Sequence, residues 1–419
     1  METKNIFFGI DDYMARFVPY IKRSEARALA QGYVVGLMMD GDRKSVEPMS
    51  EKVHASERGM QRLLTEVKWN HEGAFYEYRR QMLAETNDPQ GVLLIDDTAF
   101  PKKGRHSVCV ARQYCGALGK VDNCQVGVSM TYVGRGFAWP YAMALFVPES
   151  WDNPEAMAMR KKARMPEDVH YREKWRIALE LIDLAEADGV PHRAVITDSW
   201  YGKITEFRRG LDERKKRYVV GIYSDMLVFG ESPVFETLDT QEKKPGRPRQ
   251  YPKLSETSPL PVKVADLGKC IEEKDWEHLE IRRDCKDKPL VIEAVSRRVF
   301  PAEGYRKGSL HEEVWLIIER RSGNELRYFF SNMPQDMPTL EMVRLFHERF
   351  WIEQGYQQLK EELGLDHHEG RSWPGWHRHV LLVFLAFGYL ALQRIQEKKR
   401  LQQLWWNQRM KRETISLTQ

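Results

Sequence analysis

A chain of 419 residues with 42% hydrophobic and 30% charged residues has the composition of an ordinary folded protein, with enough apolar content for at least one large core and two or three domains, and global disorder is excluded. The formal net charge is only +4, so any nucleic-acid footprint must be local. The five cysteines, Cys109, Cys115, Cys124, Cys270 and Cys285, form no CxxC pair and no zinc-ligand spacing, which points to reduced, cytoplasmic thiols.

The first residues, METKNIFFGIDDYMARF, carry two acids where a secretory leader would have its apolar core. Residues 1–88 read as wholly helical. Within them SVEPMSEKV, a break at HASER, and RGMQRLLTEVKW read as two short amphipathic helices around a tight turn. That pattern fits an ordinary helical hairpin or a helix-turn-helix offering Arg58, Gln61, Arg62 and Lys68 to DNA.

Asp88-Pro89-Gln90-Gly91 marks a break, and GVLLIDDTAFPKKG follows. Residues 92–95 predict a strand buried on both faces that ends in two carboxylates. Further strands are expected at 107–112 and 125–133, then a helix at 174–187 ended by Gly189 and Pro191. RAVITDSWYG is a second apolar strand with Asp198 at its tip, followed by a helix at 203–216 and a strand at 218–222. Three strands, helix, strand, helix, strand is the order of the ribonuclease H-like fold. An acid at one strand end is commonly a turn residue or cap; two, on strands that this order sets side by side, point to a site.

Residues 224–333 read as an inserted β-rich subdomain with strands at 279–283, 291–296, 314–320 and 326–330. In it, 243–249 has the Gly-Arg-Pro core of an AT-hook, with Arg247 and Arg249 as minor-groove cations, or is a solvated linker. In FHERFWIEQGYQQLK, Phe346, Arg349, Glu353 and Lys360 stand three, four and seven positions apart, on one stripe of a helix. A neighbouring stripe of Leu345, Ile352, Tyr356, Leu359 and Leu363 suits a core. The histidines of GLDHHEGRSWPGWHRH lack helical zinc spacing and are read as a loop near DNA or behind the acids. Trp373 and Trp376 in that loop either stack on a base or wedge it onto the core. Residues 380–392 are read as a buried core helix, not a membrane span, and 396–419 as a basic tail.

IDDTAFPKKG, TDSWYG and RFWIEQGYQQLKEELGLDHHEGRS together resemble the bacterial insertion-sequence transposases with a DDE triad, over about residues 91–392. The family's signature is Tyr, two residues, Arg, three residues, Glu, six residues, Lys; here Phe346 replaces the tyrosine and has no hydroxyl for a phosphate. The resemblance implies an α/β, ribonuclease H-like (retroviral-integrase-like) catalytic core in two parts, 89–223 and 334–395. These would flank the insertion at 224–333, behind a DNA-binding region at 1–88. It implies Asp97, Asp198 and Glu353 as the catalytic residues holding two Mg²⁺ ions, which Mn²⁺ can replace, about 4 Å apart. Alternation leaves Asp96 and Asp97 open; the resemblance, which places the acid directly before threonine, selects Asp97. It implies Arg349 and Lys360 as DNA contacts, joined by Lys102, Lys103 and Arg371 from neighbouring motifs. The expected activity is binding of an element's terminal inverted repeats, 3′-end cleavage and strand transfer into target DNA. A homodimer on double-stranded DNA is expected, in the cytoplasm and at the nucleoid. The competing expectations are a domesticated DNA-binding regulator without catalysis, and a ribonuclease H-like nuclease without strand transfer.

Overall fold

The computed structural model describes residues 7–236, 251–283, 288–309, 311–321 and 323–416. The N-terminal part is helical: α1 (Ile10–Ala15), α2 (Ser24–Met38), α3 (Val46–Lys52), α4 (Glu57–Thr65) and α5 (His71–Thr86). The break between α3 and α4 has local causes. His54 takes a left-handed φ of 52°, and the Ser56 hydroxyl caps α4 by accepting from the Gly59 N–H at 3.0 Å. α4 buries Met60, Leu63 and Leu64 and leaves Arg58, Gln61 and Arg62 exposed, with Arg62 paired to Glu66 at 3.1 Å.

The sheet begins with β1 (Val92–Pro101), β2 (Ala111–Cys115), β3 (Lys120–Gly134) and β4 (Phe137–Leu145). The strand expected at 107–112 is displaced to 111–115, and β4 was not expected, because Pro140 argues against a central strand. Among the described residues β3 is the one strand that β4 pairs with, and the register slips by one residue between Met130 and Thr131, where Pro140 is accommodated. Next come α6 (Met157–Lys162), α7 (Lys174–Ala187), β5 (Ala194–Thr197), α8 (Ser199–Gly202), α9 (Thr205–Glu213) and β6 (Tyr218–Ile222). The single helix expected at 203–216 is therefore two, separated at Ile204, whose backbone is extended.

β7 (Leu227–Phe229), β8 (Val262–Lys263), α10 (Val264–Lys269), β9 (Glu277–Arg283), β10 (Pro289–Pro301), β11 (Val314–Arg320) and β12 (Leu326–Ser331) follow. These strands extend the same sheet, since β12 pairs antiparallel with β6. The result is a mixed α/β structure around a twelve-stranded, mostly antiparallel sheet, with β4-β3-β1-β5-β6 as one continuous run. Among the described residues only β1/β5 and β5/β6 are parallel, and the register of the first pair sets Ile95 beside Thr197.

α11 (Thr339–His347) and α12 (Phe350–Gln357) pack Met342, Val343, Leu345 and Ile352 on the face carrying Val92, Leu94, Ile196 and Val219; α7 lies against β3 and β4. The continuous helix expected through 346–360 is interrupted after His347 and closes in a π-helical turn at Gln358–Glu362. Leu345, Ile352, Leu359 and Leu363 are buried as expected, whereas the polar stripe does not run straight. α13 (Trp373–Ser416) is apolar and long enough to cross a bilayer, yet residues 380–386 are each at most 1% exposed inside the protein, the surroundings of a core helix. Trp373 and Trp376 belong to its first turn rather than to a loop. Trp376 is buried on Phe100.

Candidate active site

The acids meet where the parallel pairing of β1 with β5 ends, midway along β1, which runs on to Pro101 rather than stopping at the acids as expected. Asp96 and Asp97 follow Ile95 on β1, and Asp198 follows Thr197 on β5, so the strand register brings them level. Asp198 is fixed by capping α8, its Oδ1 accepting from the N–H groups of Trp200 (3.0 Å) and Tyr201 (3.2 Å). This turn sits tightly on β6. A Cβ on Gly202 would collide with the Gly221 carbonyl, so glycine is required there.

Alternation along β1 sends the paired aspartates to opposite faces. Asp96 faces α12, where its Oδ2 accepts from Arg349 at 3.1 Å; Asp97 faces α7, where its Oδ2 accepts from Lys174 Nζ at 2.6 Å. Lys174 also lies over the Trp200 ring at 4.5 Å, tying α7 to the Asp198 turn. Arg349 reaches Glu353 Oε1 at 3.7 Å, but Glu353 is 68% exposed and held loosely. Near Asp96, the hydroxyls of Ser129 and Tyr356 share a hydrogen bond at 2.6 Å.

Burial and like charges shape the electrostatics. Burial pushes the Asp96 carboxyl up to about 7, opposed by Arg349 and reinforced by Asp198 and Asp97. Asp198 is raised as well, mainly by burial, against the pull of Arg349. One guanidinium thus stands among carboxyls drawn from β1, the β5 tip and α12. Among the described residues, no group of three His, Cys, Asp or Glu side chains is placed to hold a metal ion.

The other expected contacts are distributed differently. Lys360 donates to the Ala99 carbonyl at 3.0 Å and lies over Phe100, with its pKa lowered by burial. It is engaged with the end of β1 rather than lying free beside Glu353. Lys102 donates to the His368 carbonyl at 2.6 Å, and Lys103 and Arg371 are exposed. Arg62 lies on α4, and Arg247 and Arg249 fall outside the described residues. The histidines are structural: His379 bonds Tyr33 (2.9 Å) and the Leu365 carbonyl (3.1 Å) and stacks on His368, while His367 accepts from the Lys44 N–H.

Lys174 escaped the sequence reading because nothing local distinguishes it; only the packing of α7 on the sheet brings it to Asp97. Also missed was a cavity of about 1070 Å³ that joins Asp198, Arg349 and Glu353 to arginines of β9–β12.

The chain matches the family model described as DDE superfamily endonuclease over residues 16–288, a span that includes both aspartate strands and ends before Glu353. It is 27% identical over 336 residues, 79% of this chain and 73% of the relative, to the probable transposase for insertion sequence element IS701 of Microchaete diplosiphon. Among solved structures, the NurA nuclease from Sulfolobus solfataricus aligns over 72% of this chain and 91% of its own at 13% identity, with a TM-score of 0.25, too loose a likeness to bear on function.

Proposed function

Because the chain belongs to the DDE superfamily of endonucleases, we propose that it is an insertion-sequence transposase that cuts the 3′ ends of its element and joins them to target DNA. The observation that carries this is the Arg349 cluster. Asp96 lies at 3.1 Å and Glu353 at 3.7 Å from one guanidinium, with Asp198 on the adjoining parallel strand. The order β4-β3-β1-β5-β6 supports a ribonuclease H-like core. In this reading 89–223 and 334–395 form the core around the insertion at 224–333, 1–88 reads the terminal repeats, and 396–419 extends beyond it. The likeness to an insertion-sequence transposase supports DNA as the partner, and a homodimer brings two ends together.

Although the carboxyls do not converge on one point, their chemistry suits a hard divalent cation, since neighbouring buried carboxyls that raise one another's pKa offer only oxygens and gain from an added positive charge. Asp198 and Glu353 would hold it with one acid of the β1 pair: the resemblance selects Asp97, whereas the face shared with Arg349 and Glu353 favours Asp96. Asp97 is the more exposed of the pair, at 27% against 18% for Asp96. When bound, two Mg²⁺ ions would supply charge stabilisation at the scissile phosphate and activation of the attacking oxygen. The chain's own groups orient the reaction. The Trp200 and Tyr201 amides aim Asp198, Lys174 fixes Asp97, and Arg349 holds Asp96 and stands ready for a phosphate. The test is the full chain with Mg²⁺ and a plasmid carrying the element with its flanking DNA. Cuts at the element's boundaries are expected; cleavage without regard to those boundaries would defeat the proposal.

A further inference from the structure

We infer that the cavity between the acids and strands β9–β12 is a binding site for the sugar–phosphate backbone of a DNA strand, with Arg282 and Arg327 as its phosphate contacts and Phe350 as a base-stacking surface. This deepens the proposed function and rests on it, because the cavity opens beside Asp198 and Glu353.

The argument begins with which cations are already committed. Arg320 is clamped by Glu273 and Glu293, each at 2.6 Å, and lies over Trp276 at 4.5 Å. Arg321 is bonded at 2.6 Å to Glu319, a fully buried carboxylate that His347 also contacts at 2.9 Å. Both arginines hold β11 and its neighbours together. Arg327 differs: its side chain is 41% exposed and comes no nearer than 3.8 Å to Glu325. Arg282 is exposed on β9 and lies over the Phe350 ring at 4.4 Å. Phe350 is 42% exposed even with Arg282 over its ring, and it stands three residues ahead of Glu353 in α12.

All three groups line the cavity that contains Asp198, Arg349 and Glu353. Cations on one wall and carboxylates on the other suit a polyanion whose reacting phosphate lies at the acids while the next phosphates are held by arginine. An exposed ring between them stacks on a base of any sequence. Inorganic phosphate shares the charge but offers neither the ring nor the length.

The test is fluorescence anisotropy of the full chain with a labelled 30-nucleotide strand and a 30-base-pair duplex of arbitrary sequence, at two salt concentrations, without divalent ions. R282A/R327A is expected to weaken binding of the strand about tenfold and to flatten the log–log salt slope by roughly one to two. Melting temperature should be unchanged, and excess inorganic phosphate should compete poorly. If the double variant melts early, Arg327→Glu at its exposed position decides, with a loss at least as large expected. Wild-type affinity and slope in a folded variant, or equal competition by inorganic phosphate, would overturn the inference. A wild-type protein that binds through these arginines yet cuts no DNA with Mg²⁺ would sink the transposase reading alone. A cleaving protein whose R282A/R327A variant binds as before would sink this one alone.

Discussion

The buried histidines set how the fold responds to acid. His377 and His379 are enclosed, and burial pushes both down to about 4 from an ordinary 6.5. The unfolded chain therefore takes up these protons near 6.5 while the folded chain refuses them until about 4, so stability falls as pH drops through that window. At pH 5 the linkage costs about 2 kcal/mol for each histidine. His379→Gln removes one such proton. At pH 7.5 it should cost about 1–2 kcal/mol for the weakened bonds to Tyr33 and Leu365. By pH 5 wild type should have lost about 2 kcal/mol that the variant keeps, so the two curves converge or cross. Urea unfolding of both proteins from pH 7.5 to 4.5, with chelator present, measures this. A difference between them that stays constant across the range would refute the reasoning, and strong stabilisation of wild type by zinc would show that the histidines are ligands.

Gly202→Ala forces a Cβ into the Gly221 carbonyl and should destabilise by several kcal/mol, about 3 or more, read as a large fall in melting temperature or loss of soluble protein. Lys360→Ala leaves the Ala99 carbonyl without its donor and should cost about 1 kcal/mol; unchanged melting with impaired cleavage would instead return Lys360 to the DNA-holding role that its signature position implies. Arg58→Ala with Arg62→Ala, on the exposed face of α4, should weaken binding of the element's end more than that of random duplex; equal losses would move end recognition away from α4.

The parts of the fold legible in the sequence were those with one dominant local signal. The apolar runs at β1, β5 and β6 and the amphipathic period of α7 appear in place, because burial on two faces or on one stripe leaves a clear pattern. β4 was hidden because Pro140 speaks against a strand, and the register slip against β3 and the place of β4 at the edge of the sheet make it tolerable. The stripe through Arg349, Glu353 and Lys360 assumed an unbroken helix, and the π-helical turn after Gln357 breaks that assumption. Asp198 stands at the tip of β5 as expected, but the aspartate pair, expected at a strand end, lies within β1, which runs on to Pro101. Which carboxylate faces which helix depended on the direction of alternation, and that is set by the packing of α7 and α12 rather than by neighbours in sequence. The arginines of the large cavity belong to strands remote in sequence and carry no motif.

The central claim is that carboxylates within β1, at the tip of β5 and on α12 act together on a phosphodiester. It is tested most directly by comparing wild type with Asp198→Asn and Glu353→Gln in Mg²⁺-dependent cleavage of DNA carrying the element's end, with binding of the same DNA measured in parallel. Each substitution keeps the shape of its side chain and removes the charge that a metal ion requires. The account predicts folded variants that bind the end like wild type and cut at least a hundredfold more slowly, on the order of the loss of one catalytic group. Cleavage by Asp198→Asn at the wild-type rate would contradict it.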